Sequence, residues 1–249
     1  MSATRTRLDK HGAVRLLTLV DPDKRNAIGL ALAAELVARS AEIAEDPQVR
    51  ALVVTGAGSA FCAGADLPDV FGRERPTEEM RSLLQSYYEC FLSVRRLPFP
   101  TFAAVNGPAI GAGLNLALAC DIRIAGRLAQ FGATFARIGL HPGGGCSYFL
   151  TKAIGPQRTL NLLLEGGVMD AREAVQTGLA LTVEDDPLGV ALALAEKAAA
   201  LEPSLARNIV QAVELAETAS FQAVLDFESR AQAESTHNPR FREHVSRFG

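Results

Sequence analysis

The chain has 249 residues, 48% of them hydrophobic and 21% charged, and a formal net charge of −3. That length suits one large domain or two small ones and suffices to bury a sizeable core. The balanced charge excludes the strongly basic surface by which a protein binds nucleic acid or an anionic membrane. No apolar run reaches the roughly 20 residues of a membrane-spanning helix, and MSATRTRLDKHG at the start lacks the apolar centre of a signal peptide. Cys62, Cys90, Cys120 and Cys146 fall at no metal-ligand spacing and read as reduced, small core residues of a cytoplasmic protein without a metal site.

In chain order, residues 14–20 (VRLLTLV) predict a strand, followed by a polar turn at 21–27 (DPDKRNA). Apolar residues at helical spacing predict an amphipathic helix over 30–44. ALVVT at 51–55 is short and continuously apolar, as in a strand buried on both faces. The Gly/Ala-rich loop GAGSAFCAGADL (56–67) precedes a charged, proline-broken stretch at 72–79 expected to be exposed and mobile. A second amphipathic helix is expected over 82–97, then a buried strand at 101–105, a turn at 106–113 (NGPAIGAG) and an apolar helix at 114–120. Strands come next at 121–125 and 129–131, the latter read as continuing the same sheet, then the loop GLHPGGG (139–145) and a helix near 146–153. Beyond Arg158 the pattern is almost wholly helical, near 158–164, 171–177, 188–200, 205–217 and 220–235. Strand–helix alternation and then a run of helices means an α/β fold with a helical C-terminal part.

Two loops leave backbone amides bare. GAGSAF invites a dinucleotide-binding reading, but Phe61 stands where that fingerprint needs Gly or Ala, no helix pattern begins at once, and Pro68 breaks the next stretch. The alternative is a small-residue loop whose N–H groups at 63–66 suit an anion or a polarised carbonyl, or simply a tight surface turn. In PAIGAGLNLALACD (108–121), Gly111 and Gly113 flank Ala112 at the start of a buried helix. The first amides of a helix have no intrahelical partner and lie at the positive end of its dipole. Two such loops converging on one oxygen make an oxyanion hole.

RNAI (25–28), GAGSAFCAGADL (56–67), AAVNGPAIGAGLNLALACDIRIA (103–125) and FGATFARIGLHPGGG (131–145), in that order and spacing, resemble the crotonase superfamily, the enoyl-CoA hydratase/isomerase family. The likeness covers essentially the whole chain. It implies a crotonase-type spiral of ββα units over residues 1–195 carrying an acyl-CoA site, and a helical trimerisation region over 196–249. It implies a homotrimer or a dimer of trimers. The ligand it implies is an acyl-CoA thioester, with coenzyme A as part of the substrate and no separate cofactor. Carried over by position, the oxyanion-hole amides fall on Ala65 and Ala112. The coenzyme A contacts fall on Lys24, Arg25, Ala27, Ala63, Asp66 and Leu67. Lys24 and Arg25 read equally well as solvated turn charges.

The chain departs from the family at two positions. Classical hydratases hold and activate water with two glutamates, and here those positions are Asn115 and Phe135. Neither an amide nor a phenyl ring serves as a general base, so efficient hydration by the classical route is not expected. Some isomerases and hydrolases of the superfamily place a carboxylate near 141–145, where this chain has His141 in a glycine-rich turn. His141 is either a base working near neutral pH or a turn residue before Pro142. A Cys146–His141 dyad has no visible third group to orient it. The resemblance implies an acyl pocket walled partly by the 68–90 segment, and Asp66, Asp69 and Glu74 are the remaining acids in or near that wall; Asp66 reads as accepting backbone N–H bonds in its loop, and Asp121 as capping a helix-to-strand junction. Three possibilities remain: an enzyme with non-standard acid/base groups, an acyl-CoA binder without turnover, or a structural paralogue with an occluded pocket.

Overall fold

The computed structural model describes residues 4–248. Strands β1 (Thr6–His11) and β2 (Val14–Leu19) form a hairpin; helix α1 (Leu30–Glu45) comes next, and β3 (Ala51–Gly56) runs parallel to β2. A short α2 (Leu67–Phe71) and a long α3 (Thr77–Arg95) lead to β4 (Thr101–Val105), β5 (Pro108–Ile110) and α4 (Ala112–Ala119). After them come β6 (Ile122–Gly126), β7 (Gln130–Gly132), α5 (Cys146–Ile154), α6 (Pro156–Glu165), β8 (Val168–Asp170), α7 (Ala171–Thr177) and β9 (Thr182–Glu184). Helices α8 (Pro187–Ala199), α9 (Pro203–Ala216), α10 (Phe221–Ser235) and α11 (Pro239–Ser246) end the described chain, and none of the helices is long and apolar enough to cross a membrane.

The large sheet has the order β1-β2-β3-β4-β6-β9 and is parallel except for the β1–β2 hairpin. Its inner strands are largely apolar because both faces are covered, with Arg15, Thr18, Thr55 and Thr101 buried among them. Leu17, Leu19, Leu52, Val54, Ala103 and Val105 face the main core. The alternate residues Leu16, Val53, Phe102, Ala104 and Ile124 face α8, whose Ala191 and Ala195 are small enough to lie directly on the strands.

A second, smaller sheet β5-β7-β8 is extended by single bridges at Cys62↔Ala109 and Ile28↔Ala65. After each inner strand of the large sheet the chain lays a short extended segment in this second layer, so it winds as a spiral. Segments 26–28, 62–66 and 108–112, all from the ends of these passes, therefore lie side by side. This confirms the α/β expectation.

Local differences have physical reasons. The polar β1 is an edge strand with one face to solvent, so it shows no core pattern. β5, β8 and β9 are three residues each and owe their pairing to their neighbours rather than to their own sequence. β7 does not continue the large sheet; it pairs parallel with β5 in the second one. The stretch expected to be mobile is exposed, yet α3 already begins at Thr77, where Glu78 and Glu79 complement the helix N-terminus. α11 is an additional helix capped by Asn238. Of the N-terminal stretch read for a leader, residues 1–3 lie outside the described residues, as does residue 249.

Candidate active site

The site is built around a buried amide. Arg25 and Asn26 take positive φ values of 50° and 58° at the end of the 21–27 turn, a conformation that Asn adopts more readily than most residues. It turns the Asn26 side chain inward, where it is 0% exposed. Its Nδ2 donates to the carbonyls of Ala57 (2.9 Å), Ala60 (2.8 Å) and Phe61 (3.3 Å), and its Oδ1 accepts from the Asp21 N–H at 2.9 Å. One side chain thus pins the small-residue loop to the polar turn. The sequence marks Asn26 only as part of RNAI; its value lies in the number of buried partners, which no local pattern displays.

From there the loop is laced on both edges. On one side the Ala63 N–H donates to Arg25 O (2.9 Å), Ile28 N–H to Gly64 O (2.7 Å) and Asp66 N–H to Ile28 O (3.0 Å). On the other, Cys62 N–H donates to Pro108 O and Ile110 N–H to Cys62 O, both at 3.0 Å. Gly64 and Gly113 permit this approach: a Cβ on Gly64 would stand 2.9 Å from Ile110 O and 4.0 Å from the Ala112 nitrogen. One on Gly113 would overlap the Cys62 carbonyl oxygen and lie 2.8 Å from Cys62 Cβ.

Ala65 is half-buried, and Ala112, at the first position of α4, is buried. Neither backbone N–H donates to a protein acceptor among the described residues, whereas the amide after Ala65, that of Asp66, and the amide before Ala112, that of Gly111, do. All eight residues of α4 are buried, and the positive end of the helix points to this place. Two unspent donors on two locked loops can polarise one oxygen.

Asn115 is 3% exposed and lies three residues along α4 from Ala112. Its Nδ2 donates to Gly143 O at 2.9 Å, and its Oδ1 accepts from no donor among the described residues. Phe135, half-buried in a 3-10 turn, stands over Gly111, its ring 3.8 Å from where a Cβ would be. Asn115 and Phe135 therefore both lie at the start of α4 and its neighbouring loop. His141 is exposed, and its Nδ1 lies 2.7 Å from the next residue's carbonyl. Cys146 is buried, and burial pushes its thiol up to about 12. An exposed imidazole engaged in its own turn and an un-ionised buried thiol do not make a dyad. Burial likewise pushes the Cys62 and Cys120 thiols up to about 12 and raises that of Cys90; all four are free and buried, as core residues.

The remaining predicted residues rim the loop. Lys24 Nζ donates to Asp66 Oδ2 at 2.6 Å, while Asp66 Oδ1 accepts from the Asp69 N–H at the start of α2. Asp69 in turn accepts the Leu30 N–H at 2.7 Å, capping α1 where Gly29 has no side chain to do so. Arg25 and Leu67 are exposed, Ala27 and Ala63 half-buried, and Glu74 is exposed between α2 and α3. Asp121 accepts from Thr101 N–H (2.8 Å), Thr101 Oγ1 (2.7 Å) and Arg95 (3.1 Å), tying the helix-to-strand junction as expected. No group of three or more His, Cys, Asp or Glu among the described residues is arranged to hold a metal.

The Lys24 hydrogen bond holds the Asp66 carboxyl below the usual carboxylate range, and the same bond raises Lys24. The Asp66 contribution to stability is therefore present above the ordinary carboxylate range and lost as pH falls through its lowered folded value. The Lys24 contribution is present below the usual lysine range and lost as pH rises through its raised one. Urea denaturation of Asp66→Asn is expected to show a smaller loss of stability between pH 7 and pH 3 than the parent chain. An unchanged pH slope would mean that the pair has no energetic role.

The family described as Enoyl-CoA hydratase/isomerase matches residues 9–249. A relative from Mycobacterium tuberculosis (strain ATCC 25618 / H37Rv), named probable enoyl-CoA hydratase EchA14, is 51% identical over 193 residues, 78% of this chain and 74% of its own. The 1,2-epoxyphenylacetyl-CoA isomerase of Escherichia coli (strain K12) is 33% identical over 239 residues, covering 94% and 91%. The crystal structure of an enoyl-CoA hydratase from Bacillus anthracis superposes with a TM-score of 0.90 at 31% identity over 98% of this chain and 96% of that one. With the spiral and the laced loops, these likenesses show that the chain has the crotonase fold and belongs to the enoyl-CoA hydratase/isomerase family.

Proposed function

We propose that the protein acts on acyl-CoA thioesters, the thioester oxygen accepting from the Ala65 and Ala112 N–H groups. Donors fixed where charge develops stabilise the enolate formed when a proton on the neighbouring carbon leaves or arrives. The observation that carries this reading is the pair of unspent amides on loops held edge to edge by Asn26, Gly64 and Gly113. Coenzyme A enters as part of the substrate, with no separate cofactor or metal. Its contacts fall on Lys24, Arg25 and Ala27 on one side of the loop and Ala63, Asp66 and Leu67 on the other. Because Lys24 is already paired with Asp66, Arg25 is the cation better placed for a phosphate.

Asn115 and Phe135 occupy the positions of the hydratase glutamates, and neither exchanges a proton near neutral pH. The reaction is accordingly an isomerisation, decarboxylation or hydrolysis, or a slow hydration. A second reading, acyl-CoA binding without turnover, is favoured by Asn115 Nδ2 being engaged as a donor to Gly143 O. Residues 1–195 form the catalytic core in this proposal and 196–249 the region that assembles a homotrimer or a dimer of trimers in the cytoplasm. Exposed apolar side chains on the last helices, among them Ile209, Val213, Phe221 and Phe241, support an assembly role, as does a groove of about 1480 Å³ between α9, α10 and α11.

The test is calorimetric binding of butyryl-CoA, its α-proton exchange in D2O monitored by NMR, and crotonyl-CoA hydration. Binding with exchange is expected, and hydration about 10²–10⁴-fold below an enzyme with intact acid/base groups. Hydration near 10 per second, about the median for enzymes, would overturn the argument from Asn115 and Phe135. Binding without exchange selects the second reading, and no binding at all removes both.

A further inference from the structure

Helix α3 brings an uncommitted hydrogen-bond donor to this site. Tyr87 and Tyr88 are adjacent but unlike. Tyr87 is 5% exposed and its hydroxyl donates to Ile28 O at 2.9 Å. Tyr88 is half-buried, and its hydroxyl donates to no protein acceptor among the described residues. Its ring is held against Phe91 (centroids 5.9 Å apart) and edge-on to Tyr87 (6.5 Å). The hydroxyl lies so close to Gly143 that a Cβ there would overlap it. Burial pushes its pKa above the ordinary phenol value, partly opposed by a backbone hydrogen bond from Gly144 to the phenol oxygen, so the O–H keeps its proton and stays a donor through the neutral range.

The position matters because of what holds the other side of the same loop. Asn115 Nδ2 fixes Gly143 O at 2.9 Å, and a Cβ on Gly144 would stand 2.7 Å from that nitrogen and overlap Phe91. Asn115 is three residues from Ala112, roughly 4.5 Å of helix rise. That is about the span from a thioester oxygen to a substituent on the β-carbon. A half-buried donor among aromatic rings costs free energy when it faces an alkyl chain and repays it when it meets an acceptor.

We propose that Tyr88 is a specificity-determining residue, its O–H donating to an oxygen carried on the β-carbon of the acyl group, so that the site selects oxygen-substituted acyl-CoA thioesters over plain alkyl ones. The inference rests on the acyl-CoA reading above. It uses a residue on α3 that neither family glutamate position nor the amide loops include. Asn115 acts here as a positioning residue that keeps Gly143, and with it the space beside Tyr88, in place.

Calorimetric titration of the parent chain and Tyr88→Phe with acetoacetyl-CoA and butyryl-CoA tests it. Removing one hydrogen bond to a ligand oxygen is expected to weaken acetoacetyl-CoA binding about tenfold. Butyryl-CoA affinity should stay within about twofold, since the ring and its packing remain. That second value also shows that the variant is folded. Equal losses for both esters would make Tyr88 a packing residue, and unchanged acetoacetyl-CoA affinity would remove its role outright; either overturns the proposal while leaving the acyl-CoA reading intact. A parent chain that binds neither ester overturns the reading and this inference together.

Discussion

Asn26→Ala is expected to be the most damaging single substitution outside the hydrophobic core. The change strands the carbonyls of Ala57, Ala60 and Phe61 and the N–H of Asp21, and places alanine at a φ of 58°. Losing several buried partners at once costs about 3 kcal/mol, a fall in Tm of roughly 6–12 °C for a chain of this size. Asn26→Asp is the sharper version, because a carboxylate keeps the shape but cannot donate to three carbonyls. Both variants should be similarly destabilised in thermal melts, and both should lose acyl-CoA affinity because the loop carrying Ala65 is released. An Asp variant as stable as the parent would mean that the amide is not what holds the loop.

The second large effect reverses an ordinary rule. Replacing glycine by alanine inside a helix normally stabilises it by about 1 kcal/mol. Gly113 lies in the first turn of α4, yet its added methyl would overlap the Cys62 carbonyl oxygen and crowd Cys62 Cβ at 2.8 Å. The obstacle is backbone, which does not swing aside as a side chain does, so Gly113→Ala is expected to destabilise by about 2–3 kcal/mol. It should also abolish butyryl-CoA binding, since the two loops must part and the Ala65 and Ala112 amides no longer share one focus. A raised Tm would show that the loops have slack and that their close approach is incidental.

How much of the molecule is legible in its sequence depends on the range over which each signal acts. Buried strands 51–55 and 101–105 and the helix from residue 30 are written in their own periodicity, and they occur within a residue or two of the expected ends. β5, β8 and β9 have no such signature; three residues become a strand only because a partner is already present. The site divides in the same way. Gly111, Ala112, Gly113 and the loop 63–66 are recognisable because small residues beside a helix start are a local pattern. Asn26 and Tyr88 are not, since each matters through groups distant in sequence: Asn26 through carbonyls 31–35 residues away and Tyr88 through Gly143. The Asp66 carboxylate accepts a backbone N–H as expected, but its 2.6 Å bond to Lys24, 42 residues away, belongs to the fold alone.

The ladder of the second layer has a bearing on how the protein is made. Ile28 waits for Gly64, Cys62 for Pro108, Gly111 for Gly132 and Ala133 for Gly167, each segment closing on one that emerges later in the chain. Contacts of such long sequence separation form slowly, and the loop-closure entropy is spent before they reward it. On a ribosome the spiral would therefore grow in one direction, each pass templating the next. The Ala65 amide is presented only after β5 has arrived, and the wall at Gly143–Gly144 only when about 145 residues have left the tunnel. A nascent chain short of that length carries the binding motif in its sequence and has nothing to bind with.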